Sequence, residues 1–78
     1  MKIKQAKEYY ELGVLTGFHA VKDTEPGRWL LCIEGKEGRS WTLETALGKS
    51  KSFASVDTLV DEVAGIAGRV SSLKINAL

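Results

Sequence analysis

The sequence predicts a small α+β domain, an antiparallel meander of three to four strands packed against a C-terminal amphipathic helix, with a short N-terminal helix in front (α-β-β-β-α-β). Three observations carry this expectation. Between Val14 and Ala46, segments rich in β-branched and aromatic residues are separated by connections far too short for a parallel crossover. From Val56 to Ala67, the residues Val56, Leu59, Val60, Val63, Ile66 and Ala67 make one apolar stripe at helical spacing. Finally, 78 residues that are 44% apolar and 27% charged have the size and composition of a single globular domain, residues 1–78.

Lys2 to Leu12 reads as a short helix, with Ile3, Ala6, Tyr9 and Tyr10 at helical spacing and Gly13 placed to stop it. Val14 to Lys22 reads as the first strand. In Asp23-Thr24-Glu25-Pro26-Gly27, proline presets φ for one turn position and glycine supplies the positive φ of a type II turn. Arg28 to Glu34 is the second and most apolar strand, Gly35-Lys36-Glu37-Gly38 turns the chain back, and Arg39 to about Ala46 is the third. The connection from Leu47 to Phe53 leads to the helix, for which Ser55 is the N-cap, Asp57 complements the dipole and Gly68 is the stop. Phe53 is placed to pack over the first helical turn near Leu59, and Val70 to Ile75 can add a fourth strand.

The second strand bears on assembly. Trp29, Leu31 and Ile33 point to one face of the sheet, and Leu30 and Cys32 to the other. An antiparallel sheet with one wet face alternates apolar with polar residues, and this strand does not. Two arrangements cover both faces: the helices lie on opposite sides, or both lie on one side and a second copy meets the other. The homodimer is the reading preferred here, with Trp29, Leu31, Ile33 and Trp41 as candidate interface residues. A monomer with an apolar patch is the plain alternative.

Charge and chemistry exclude more than they assign. Eleven basic and ten acidic residues give a formal charge of +1, so phosphate binding would have to rest on a local patch. Cys32 is the single cysteine, which rules out an intramolecular disulfide and a cysteine-rich zinc site. No apolar run resembling a signal peptide or a membrane span occurs, and a soluble cytoplasmic protein without membrane contact is expected. His19 is read as structural and Cys32 as a buried, inert thiol. Gly48-Lys49-Ser50 is not a phosphate loop, because the position that needs a further glycine is Leu43. Neither catalytic nor cofactor nor metal residues are assigned, and no enzyme is expected. Lys22, Arg28, Arg39, Lys49 and Lys51 remain as candidate contacts to an anion or nucleic acid, beside Phe18, Trp29 and Trp41 as aromatic surfaces for single-stranded bases. The acidic outer side of the second helix (Asp57, Asp61, Glu62) opposes its use on DNA.

The order of features resembles a group of small proteins encoded on plasmids and integrative conjugative elements, some described as partition-associated. The matching residues are Leu12-Gly13-Val14-Leu15 at the end of the first helix and Trp29 opening the second strand. Leu43 to Lys49 and then Phe53 to Leu59 at the start of the helix continue the match. The resemblance implies an accessory role and carries over no catalytic residue. The reading is therefore a non-enzymatic accessory or protein-interaction module, homodimeric, open to a partner protein; nucleic-acid binding is the alternative.

Overall fold

The computed structural model describes residues 1–68 and 73–75. Its elements are α1 (Ile3–Glu11), β1 (Leu15–Lys22), β2 (Trp29–Gly35), β3 (Ser40–Thr42), β4 (Ser52–Phe53), α2 (Val56–Ala67) and β5 (Leu73–Ile75). The α+β class holds, and the signals that predict the helix ends operate as expected. Beyond α1, Gly13 takes φ 74°, its N–H donates to the Tyr10 carbonyl and that of Val14 to the Tyr9 carbonyl, both at 3.0 Å. That double closure satisfies carbonyls the helix leaves free. At α2 the Ser55 hydroxyl accepts from the Thr58 N–H at 3.3 Å, and Gly68 closes the other end at φ 74°.

β1 and β2 pair antiparallel across the turn at Pro26-Gly27, where Gly27 has φ 77°. A bulge at Thr16 shifts the register, and from Phe18 onward Phe18 faces Ile33, His19 faces Cys32, Ala20 faces Leu31 and Val21 faces Leu30. β2 then pairs antiparallel with β3 through a tight turn in which Glu37 and Gly38 both have positive φ.

Three features differ from the sequence expectation. The third strand stops at Thr42 rather than running to Ala46, because the chain leaves the sheet at Glu44. It makes a small hairpin excursion, with Glu44 bridging Ser50, and returns as β4, which pairs with β2 at Trp29 and Leu30. β3 and β4 thus share the same side of β2, which adds a strand to the expected order. Finally, β5 joins the other edge beside β1 and runs parallel to it, so the sheet is not a pure meander. The Val70–Ser72 part of the expected last strand lies outside the described residues.

The core lies on one side of the sheet. Phe18, Ala20, Leu31 and Ile33 from the sheet meet Ala6 from α1 and Leu59, Val63 and Ile66 from α2, with Leu43, Phe53 and Met1 closing the margin. Trp41 fixes α1 to this side, its ring 5.7 Å from that of Tyr9 at an interplanar angle of 70°. Both helices therefore cover the same face, which excludes the arrangement with the helices on opposite sides of the sheet.

Gly65 lies inside α2, exposed, and an added Cβ there meets nothing within 4 Å. Gly65→Ala is expected to stabilise the protein by about 0.5–1 kcal/mol, because alanine restricts the unfolded chain and suits a helix interior. Thermal unfolding of the two proteins checks this.

Candidate functional site: the second face of the sheet

Strand alternation puts His19 and Val21 of β1, Leu30, Cys32 and Glu34 of β2, and Thr42 of β3 on the face away from the helices. These residues are half-buried by their neighbours in the sheet. Among the described residues, Val21, Leu30 and Cys32 neither belong to the core cluster nor pack against it. Val21 faces Leu30 directly, with Cys32 in the next row on the same face, so the three form an apolar centre. Beside them His19 Nε2 and Glu34 Oε1 are 3.0 Å apart. Burial pushes the Cys32 thiol up, and the neighbouring Glu34 carboxylate adds to the shift, so this thiol is less nucleophilic than a free one.

This geometry corrects two candidate interface residues. Leu31 and Ile33 are 0% exposed and belong to the chain's own core, so a second copy cannot reach them. Trp29 and Trp41 are half-buried and lie on the helix-covered side, packed against the core. Phe18, 2% exposed, lies there too, so none of the three aromatics stands on the second face as a platform for bases.

The basic candidates are dispersed. Lys22 and Arg28 flank the first turn. Arg28 donates through Nε to the Ser52 hydroxyl and through Nη2 to the Ser52 carbonyl at 3.0 Å, and the same hydroxyl donates to Asp23 Oδ2 at 3.1 Å. Lys51 pairs with Glu62 of α2 and sits 5.4 Å from the centre of the Phe53 ring. Arg39 lies at the opposite end of β2, 5.8 Å from the Trp41 ring centre. Lys49 is exposed on the Glu44–Ser50 excursion. Arg28 and Lys51 are thus engaged within the fold, where they fasten β4 to the first turn and to α2.

Ser52 had no place among the sequence candidates, yet it joins Asp23, Arg28 and β4. Its hydroxyl is one of several that the sequence offers, and nothing local marks it. At Asp23, partial desolvation pushes the carboxyl up; hydrogen bonds from Ser52 and from the Thr24 N–H and hydroxyl more than offset this and hold it below the usual value. A depressed carboxylate contributes stability above its unfolded value and loses that contribution as pH falls through the folded one. Ser52→Ala is therefore expected to raise the Asp23 pKa toward the ordinary aspartate value, as read by carboxyl-carbon NMR titration.

Among the described residues no helix is long and apolar enough to cross a membrane, and no three histidine, cysteine or acidic residues group as a metal site. Comparison with protein-family models, with curated proteins and with solved structures finds no match.

Proposed function

We propose that this protein is a non-enzymatic interaction module that associates with a second copy through the helix-free face of its sheet. The observation that carries the reading is the apolar centre of Val21, Leu30 and Cys32 on a face that neither helix covers. Exposed apolar area of this kind is stabilised by removal from water, and two sheets pack face to face at about 10 Å with their side chains interleaved. The electrostatics permit it. Glu34 on this face has a partner within its own chain, His19 Nε2 at 3.0 Å, so its carboxylate needs no partner across the interface. A three-stranded patch is at the small end of stable interfaces, so micromolar association is expected. A dimer of this type would act as an accessory factor, the role implied by the resemblance to proteins of plasmids and integrative conjugative elements.

Sedimentation velocity across the micromolar to millimolar range tests the assembly. A reversible monomer–dimer equilibrium is expected for the native chain. Leu30→Asp, which places a charge at the apolar centre, is expected to shift the protein to monomer while its circular dichroism is retained. A native chain that stays monomeric at the highest concentration, or a Leu30→Asp variant that dimerises as well as the native chain, would remove the proposal.

A further inference from the structure

The free edge of β4 offers a second surface, distinct from the sheet face. β4 pairs with β2 alone, so its outer edge carries no strand among the described residues. Along that edge runs an open cleft of about 450 Å³. Lys51, Ser52, Phe53 and Ala54 line it from the strand side, and Thr58, Asp61 and Glu62 from α2. An unpaired strand edge beside a helix-walled cleft has the geometry that accepts an extended chain. Main-chain groups pair along the edge, and alternate side chains of the incoming strand drop into the cleft.

Charge selects the occupant. Asp61 and Glu62 form the helix wall, with Asp57 one turn earlier on α2. Lys51 already engages Glu62, while Asp57 and Asp61 are exposed and make no ion pair among the described residues. On the strand side Phe53 is buried beneath Lys51, and the exposed Ala54 is the apolar surface along which a lysine or arginine can lay its aliphatic stem while its charged head reaches Asp61. Nucleic acid fits this wall badly, because its phosphates would face carboxylates. We propose that the β4–α2 cleft binds an extended segment of a partner protein, one in which lysine or arginine alternates with apolar or β-branched residues. The segment adds a short strand to β4 and sets a basic side chain against Asp61.

The test uses the full chain, isotope-labelled, titrated with an end-blocked hexapeptide of sequence Thr-Lys-Val-Lys-Val-Thr. Amide shifts are expected to concentrate at Lys51–Ala54 and Thr58–Glu62, with intermolecular Overhauser contacts between the peptide and the Phe53 and Ala54 amides. The same peptide with glutamate in place of lysine is expected not to bind. Asp61→Lys, at an exposed position that does not endanger the fold, is expected to weaken binding by about tenfold, with Asp61→Asn between the two. No saturable shift, shifts centred on Val21 and Leu30, or unchanged affinity in Asp61→Lys would each overturn the proposal. The outcome is separable from that of the sheet-face dimer. Leu30→Asp is expected to abolish the dimer and leave peptide binding intact, and Asp61→Lys to weaken peptide binding and leave the dimer intact.

Discussion

Leu31→Ala is expected to destabilise the protein by about 2–5 kcal/mol, the range for truncating a buried leucine whose surroundings relax only in part. Leu31 is 0% exposed, pairs with Ala20 across β1, and shares its core with Leu59 and Val63 of α2. Its carbonyl accepts the Leu43 N–H at 2.9 Å, so it also lies where the chain leaves β3. A domain of this length has about 4–12 kcal/mol in all. The variant therefore stands near the edge of folding, and its urea midpoint should fall sharply with little change in slope. Leu30→Ala, one residue earlier, is the control. Leu30 is half-buried on the face without helices, and its truncation should cost about 1 kcal/mol or less. Equal costs at the two positions would mean that both faces of β2 are covered alike, and a larger cost at Leu30 that the faces are assigned the wrong way round.

That comparison also marks the limit of what the sequence discloses. Period-2 alternation says that Leu31 and Ile33 share one face and Leu30 and Cys32 the other. It is symmetric about which face turns inward, because both sets are apolar. The tie is broken by contacts far apart in the chain: Tyr9 against Trp41, and the Leu59, Val63 and Ile66 stripe against Phe18 and Ile33. Both helices and the Pro26-Gly27 turn were legible because their signals are local, being caps, periodicity and a glycine with positive φ. β4 was not legible, since Lys49-Ser50-Lys51-Ser52 has no apolar alternation. Its two residues are held to β2 by pairing with Trp29 and Leu30 and by the Arg28 contacts to Ser52, and the Lys51 N–H just before them donates to the Leu43 carbonyl at 2.8 Å. The direction of β5 was hidden for a related reason. A short apolar segment after a helix declares a strand but not its neighbour, and its parallel place beside β1 is a long-range pairing.

The same long-range logic explains the basic residues. Read along the chain, Arg28 and Lys51 look like free cations available to phosphate. In the fold each meets a group remote in sequence, Ser52 in one case and Glu62 in the other, and acts as a fastening between elements. The acidic side of α2 shows the converse. Its charges look like an ordinary solvated surface until β4 is placed beside them, and only then do Asp61 and Glu62 become the wall of a cleft.

Gly35→Ala is expected to cost about 1–3 kcal/mol through overpacking, with no contribution from backbone strain. Gly35 has φ −127°, a conformation any residue adopts, so conformational freedom is not why glycine is there. The reason is Trp41. A Cβ on Gly35 would lie 2.7 Å from Trp41 Cζ3, 2.9 Å from Cη2 and 3.3 Å from the Val14 carbonyl oxygen. The indole lies with Cζ3 and Cη2 against a position that has no side chain, and from there its ring meets Tyr9 of α1. Adding a methyl group forces the indole outward, which loosens the contact that holds α1 to the sheet. A double-mutant cycle isolates this cause. In a Trp41→Leu background the smaller side chain leaves room for the methyl, so the cost of Gly35→Ala should largely disappear, giving a coupling of about 1 kcal/mol or more. A cost that persists there would assign the clash to the Val14 carbonyl and remove Trp41 as the reason for glycine at this position.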